Sequence, residues 1–501
     1  MPTPPSDELA PAPEQLDPQI DDPESQPAIP AAALAARAAV PAGRVALGGT
    51  VTELEIWRLA WPVILSQVLA SVVALADAAM VGRLSRESIA AVGYTTQFLN
   101  LAQSVLFAVG IACIALMSRA VGARQPGRAR SALAAALVLS GVLGTLFTVV
   151  VLIHPHTLLG WLDAEPAVID VAVPYFRLSL GSTLFLAVSV TFESAFRAIQ
   201  DTRTPLIIAG FVAVAKIVLN ALLIFGTLGF PRLELVGAGL ATLLSEGAGF
   251  ALFWIASRRG GEGSLLRVSR AEIAGSHTIL PEMVRIALPA IGERVLLNLA
   301  IMAYFKMLGH YGTVEIAAYT IGTRLLSFSW IPGTGFSVAA ATLVGHALGA
   351  EDPAAARRAG WRAARLALAV SAVLGLVFGL ARMPLARIFT NDREVVEALG
   401  PFMLMLALAQ PPMGLHFTLG GALRGAGDTW NPLLAASLGN WGFRVPLAWL
   451  FARGLTLDVA WVWAALIADH CARAVWMTLS FRGGRWYRRL GLGDDTMGGG
   501  G

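Results

Sequence analysis

Charge is what this sequence has least of. Asp, Glu, Lys and Arg make up 14 % of its 501 residues, against about 25 % in a soluble domain. Hydrophobic residues reach 56 % and the mean hydropathy is +0.66. A soluble globular fold is excluded, and the chain reads as an all-α polytopic membrane protein. The two cysteines, Cys113 and Cys471, sit in apolar runs, so there is neither a disulfide framework nor a cysteine metal site. Lysine is almost missing: Lys216 and Lys306 are the only two, both inside apolar segments. The net charge of +4 comes from scattered arginines with no dense basic tract, which argues against nucleic acid as a partner. There is no Walker motif, so no nucleotide partner or energy source is expected. Paired Asp-rich loops and His/Glu metal clusters are also missing. No catalytic residue, metal ligand or bound cofactor is assigned, and an integral membrane enzyme is the weakest reading.

What is present is apolar length. A span needs roughly 20 mostly apolar residues, and twelve stretches qualify: 56–81, 89–118, 131–153, 171–196, 204–227, 236–257, 283–308, 316–346, 359–380, 397–423, 431–452 and 458–481. The second and eighth are long enough to be tilted or broken. Residues 1–52, rich in Pro, Ala and acids, read as a disordered tail with no signal-peptide pattern, and residues 483–501 as a second tail. Between them lie a first six-helix lobe (53–258), a linker (259–281) and a second lobe (282–482). One set of loops, with the C-terminus, carries Arg119, Arg124, Arg128, Arg130, Arg197, Arg203, Arg258, Arg259, Arg267, Arg270, Arg285, Arg357, Arg358, Arg362, Arg365, Arg424, Arg482, Arg485, Arg488 and Arg489; the other has only Arg83, Arg86, Arg232, Arg382, Arg387, Arg393 and Arg453. The richer side is expected in the cytoplasm with both termini.

The two halves repeat at a constant offset of 227 residues. "EIWRLAWP" from Glu55 matches "EMVRIALP" from Glu282, pairing Pro62 with Pro289; Gly82 pairs with Gly309, Gly122 with Gly349, and "RAIQDTRTP" (197–205) with "RGAGDTWNP" (424–432). Each half holds an even number of spans, so the repeats are parallel, and such transporters place their substrate between the halves. In the repeated turn, Arg197 and Arg424 end a helix. Asp201 and Asp428 lie in the turn, Thr204 and Asn431 are candidate caps, and Pro205 and Pro432 suit a first helical position.

Ionisable groups inside spans cost several kcal/mol unless paired or wet, and several here break the repeat. Asp77, in "ASVVALADAAMVG", has Tyr304 as its counterpart; Glu193 has Gly420, Lys216 Phe443, Glu246 Arg473 and Glu293 Ser66. Ser66, Ala70, Val73, Ala74 and Asp77 share one helical face whose small residues allow close packing. A proton could come and go at Asp77, with Lys216 and Glu246 as partners for it or for each other. Asn220, one turn from Lys216, Glu193 and Glu293 are candidates to line a substrate cavity. Glu293 suits a cation, or alternatively pairs with Arg294 or Arg324. Asp469 is expected to pair with Arg473 or Arg444.

Taken together, "LAWPVILSQVLASVVALADAAMVG", "SRAVGARQPGRAR", "FRAIQDTRTPLII", "GHALGAEDPAAARR" and "LRGAGDTWNPLL" resemble the multidrug and toxic compound extrusion (MATE) family across about residues 53–485. The resemblance implies two six-helix lobes facing a central cavity in the inner membrane. It implies a secondary active antiporter, monomeric, exporting organic, cationic or amphipathic small molecules in exchange for H⁺ or Na⁺. It also implies that Asp77 is a proton or cation site and that Pro62 lets its helix bend. Some sodium-coupled members carry a span-ten acid; "PPMGLHFTLGGAL" offers only His416, which favours protons. A lipid-linked oligosaccharide flippase of the same superfamily is the alternative.

Overall fold

The computed structural model describes residues 51–492 apart from 260, 262, 309–310, 391 and 489. The tail segments 1–50 and 493–501, and Gly309 of the repeat, lie outside the described residues. The first half runs α1 (Glu53–Val81), α2 (Arg86–Gly122), α3 (Pro126–Ile153), α4 (Pro155–Gly160), α5 (Pro166–Gly181), α6 (Thr183–Ala198), α7 (Arg203–Phe225) and α8 (Glu234–Arg258). A connecting helix α9 (Arg270–Gly275) leads to α10 (Leu280–Leu308), α11 (Thr313–Gly349), α12 (Pro353–Leu380), α13 (Arg382–Phe389), α14 (Arg393–Gly425), α15 (Trp430–Ser437), α16 (Val445–Trp449), α17 (Val459–Arg482) and α18 (Arg485–Arg488). No strand occurs among the described residues.

Among the described residues, ten helical segments are long and apolar enough to cross a membrane, counting α5 and α6 as one. The eleventh span is segmented: α15 and α16 alternate with π-helical turns at Leu438–Arg444 and Leu450–Gly454. The twelfth, α17, is less apolar because Asp469, His470 and Arg473 lie in it. Of the two outcomes expected for the long second and eighth spans, tilted or broken, the break does not occur. Both α2 and α11 are continuous over 37 residues, or about 55 Å at 1.5 Å per residue, so each is far longer than the roughly 30 Å hydrocarbon core. They form the centre of the molecule and are its most buried spans. It is the fourth span that breaks, at Ser182 between α5 and α6.

Three segments are more ordered than their composition suggests. Thr52 closes a capping box with Glu55 at the start of α1, and Arg362 donates to the Val51 carbonyl. The 259–281 segment buries Leu265 and Leu266 against α2, α3 and α10. Its α9 begins with a Ser269/Glu272 capping box, and Glu272 pairs with Arg130 of α3. After α17 the chain turns back: Trp486 stacks on Phe481 at 4.8 Å, and Trp486 and Tyr487 are buried. Apolar surface at these aromatic residues outweighs the loop-like composition around them.

Candidate functional site between the lobes

The lobes meet at the arginine-rich end. There α11 of the second half lies on α1 and α2 of the first, and Ile56, Leu59 and Ala60 share one core with Phe336, Ala339 and Ala340. His346 donates from Nε2 to the Ala198 carbonyl at 2.7 Å and accepts at Nδ1 from Gln200 at 3.1 Å. Thr342 donates to the Arg197 carbonyl at 3.2 Å. Towards the opposite end, α2 and α11 turn polar side chains into open space: Thr96, Gln97 and Asn100 on one, Thr320, Arg324 and Ser327 on the other, all exposed. Polar and charged groups in lipid are costly, so these rows face a cleft between the lobes. The cleft is shut on the arginine-rich side.

In the first lobe the packing of α1 on α7 brings three sequence candidates together. Asn220 Nδ2 donates to Asp77 Oδ1 at 2.7 Å, and Lys216 Nζ stands 3.7 Å from Oδ2. The Asp77 side chain keeps 17 % of its surface exposed, so it is held but not sealed. Glu246 of α8 makes no hydrogen bond or ion pair with any described residue. The alternative Lys216–Glu246 pair does not form, because the α7 face carrying Lys216 and Asn220 turns to α1. Tyr304, the counterpart of Asp77, is buried and donates to the Val462 carbonyl at 2.9 Å.

A cavity of about 230 Å³ lies between the lobes, lined from the first half by Gln67, Phe107 and Arg197 and from the second by Glu293, Trp330 and Arg444, among others. Its lining runs from the last turns of α6 and α14, at Arg197 and Arg424, to residues such as Gln67 and Glu293, more than ten positions in from the same side. Glu293 lines it as expected, but its partner is neither Arg294 nor Arg324. Arg424 Nη2 donates to both its oxygens, at 2.7 and 2.8 Å. Glu193 does not line the cavity and pairs with Arg197, one turn on. Asp469 takes both expected partners, Arg473 Nε at 2.5 Å and Arg444 Nε at 3.3 Å.

The repeated turn departs from expectation in two ways. Arg197 and Arg424 do stand in the last turns of their helices, but their side chains run back into the protein to Glu193 and Glu293. The caps are Asp201 and Asp428. Asp201 Oδ1 accepts from the N–H groups of Arg203 and Thr204, and Asp428 Oδ1 from that of Asn431. Thr204 and Asn431 bond those same aspartates through their side chains, and Pro205 and Pro432 fall at the third helical position. Carboxylates suit the positive end of a helix better than a hydroxyl or amide does.

Pro62 lies in an unbroken α1. Its missing N–H frees the Arg58 carbonyl, and Thr202 Oγ1 makes a long 3.5 Å contact there. Ser66 donates to the Pro62 carbonyl at 2.9 Å. The turn motif and the span-one proline are therefore one local assembly. Sequence reasoning also missed the pairing of His416 (α14) with His470 (α17), 2.9 Å apart and both lining the cavity. Only three-dimensional packing joins those two helices.

Comparison with known proteins agrees with this architecture. The MatE family model matches residues 62–222 and 289–450, one block in each half. The chain is 28 % identical over 448 residues to a probable multidrug resistance protein NorM of Thermotoga maritima, covering 88 % of this chain and 95 % of that one. It is 30 % identical over 447 residues to a probable NorM of Bradyrhizobium diazoefficiens, covering 86 % and 93 %. Among solved structures, an outward-facing multidrug resistance MATE transporter of the MOP superfamily matches with a TM-score of 0.79 at 22 % identity, covering 88 % and 96 %. The Vibrio cholerae MATE transporter VcmN in its bent form matches at 0.76 and 23 %, covering 87 % and 98 %. The family model on both halves, the two-lobed fold and these relatives together establish that the chain belongs to the MATE (MatE) family.

Proposed function

We propose that the protein is a secondary active antiporter of the inner membrane. It exports amphipathic organic molecules in exchange for protons, with both termini in the cytoplasm and no nucleotide involved. The observation that carries this reading is the carboxylate of Asp77, inside a span and partly open, held between Lys216 and Asn220. A proton on Asp77 cancels the charge that attracts Lys216, so the α1–α7 contact has two states that differ in one proton. An exchange of this kind biases a two-state lobe movement by the difference in interaction between the states. The Lys216 ammonium also disfavours sodium, because it already supplies a cation 3.7 Å from Asp77.

The arginine-rich closure and the open polar cleft fit the outward-open half of an alternating-access cycle. The NorM relatives bear the name of multidrug resistance proteins, which supports drugs and similar organics as cargo. The test is purified protein in liposomes with an imposed ΔpH or ΔpNa and a fluorescent aromatic dye. Transport driven by ΔpH is expected; transport driven by ΔpNa alone, or by neither, would refute proton antiport.

A further inference from the structure

We infer that the inter-lobe cavity binds organic molecules that carry an anionic group, a carboxylate, sulfonate or phosphate, on an apolar aromatic body. This rests on the export reading and names its cargo. Five guanidiniums line the cavity: Arg197, Arg294, Arg424, Arg444 and Arg473. Glu293 is the only carboxylate in the lining. Counting the acids that pair with these arginines from behind adds Glu193 and Asp469. Five cations against three carboxylates leave two positive charges in excess. Arginine does not lose its proton in proteins, so the excess is fixed.

Glu293 would be the attraction for a cation, but both of its oxygens are taken by Arg424. Arg294, next to it, makes no ion pair or hydrogen bond with any described residue and is exposed to the cavity it lines. The hydrogen-bonding inventory points the same way. The Nε atoms of Arg197 and Arg424, Nε1 of Trp330 and Nε2 of His470 have no hydrogen-bond acceptor among the described residues, whereas Arg444 Nε faces Asp469 at 3.3 Å. All belong to the lining. With His416 donating to His470, all four are unmet N–H donors of residues that line the same cavity. Unmet buried donors are costly, and an anionic oxygen is the group that satisfies several at once. Phe107, Trp330 and Phe417 supply the apolar walls.

The test uses two dyes built on one xanthene ring: fluorescein, an anion, and rhodamine 6G, a cation. Their binding to the purified full-length protein is read by fluorescence polarisation. Wild type is expected to bind fluorescein at least about tenfold more tightly than rhodamine 6G. Arg294→Gln should weaken fluorescein about tenfold, the effect of one charge-assisted hydrogen bond, and leave rhodamine 6G unchanged. Arg294→Lys, which keeps the charge, should recover most of the loss and controls for damage to folding. Rhodamine 6G binding as tightly as fluorescein, or fluorescein affinity unchanged in Arg294→Gln, would overturn the inference.

Competition identifies the source of the anion. Displacement by 1-naphthalenesulfonate supports a soluble anion. Displacement only by phosphatidylglycerol in nanodiscs supports a lipid-borne headgroup, and either result upholds the anionic site. Binding is measured without a gradient, so fluorescein selectivity that persists when ΔpH drives no transport would sink proton antiport and leave this inference standing.

Discussion

Gly122 lies against the backbone of His346, and Gly349 lies against the backbone of Arg119. Both pairs of like positions are separated by the repeat offset of 227 residues, so this is one contact made twice about the axis that relates the halves. A Cβ on either glycine would overlap the opposing carbonyl. Ser118 and Gly345, also 227 apart, touch each other between the two. The closure of the cleft on this side therefore depends on bare backbone meeting bare backbone.

A side chain placed there should wedge the lobes apart. Gly349→Leu is expected to cost the closed state about 1–3 kcal/mol, the usual range for overpacking, and to shift the population roughly tenfold toward opening on the arginine-rich side. A cysteine replacing Ser118, in a background lacking Cys113 and Cys471, reports the change. Its labelling by a membrane-impermeant thiol reagent from that side should rise about tenfold. An unchanged rate would mean that the glycine contact does not govern closure.

The Asp77–Lys216 pair makes a prediction about two residues at once. Asp77→Asn should insert and fold but lose ΔpH-driven transport. It should also leave Lys216 without its counter-charge, costing about 1–3 kcal/mol, less than a fully buried pair because both side chains are partly open. Adding Lys216→Met should restore the melting temperature without restoring transport. Wild-type transport by Asp77→Asn, or no thermal rescue by the double variant, would count against this account.

Acid should loosen the inter-lobe segment before it affects the spans. Burial raises the proton affinity of Glu272, but the Ser269 N–H and the Arg130 guanidinium more than reverse it, so its carboxyl sits below the ordinary 4.5. A group held low in the folded state adds stability above its unfolded value and loses it as pH falls through the folded one. Amide exchange across 264–275, corrected for intrinsic rates, should speed up between about pH 5 and pH 3. In Glu272→Gln that step should vanish; its persistence would place the acid-sensitive group elsewhere.

The return of the chain after α17 gives a stability prediction. Trp486→Ala removes a buried ring stacked on Phe481 and is expected to cost about 3–5 kcal/mol. Thermal unfolding followed by fluorescence-detected size exclusion should show a melting temperature lower by several degrees. A change within error would mean that this segment packs only loosely.

Hydropathy alone placed the spans, because a 20-residue apolar run has few other uses. The offset of 227 paired the halves, because the duplicated turns kept their Asp-Thr and Pro positions. Asp77 stood out because its counterpart, Tyr304, is not an acid. The rest depends on rotation about helix axes, which a sequence does not display. Arg197 and Arg424 look like ordinary positive residues at helix ends until their side chains are seen to run inward. Lys216 lies within reach of Asp77 or Glu246 by position, and only the turn of α7 toward α1 decides between them. His416 and His470 carry no mutual signal, being 54 residues apart on helices that meet only in the fold. The π-helical turns after Ser437 leave no mark in composition.

The guanidinium lining has an electrical consequence. An anion leaving the cell and a proton entering it carry charge in the same direction, so each such exchange moves net positive charge inward. Export would then draw on a negative-inside membrane potential as well as on the pH difference. It would continue at pH values where the proton gradient alone is small. Exchange of one monovalent cation for one proton would be electrically silent. Current on a solid-supported membrane therefore distinguishes the two cargo signs without knowledge of the natural substrate.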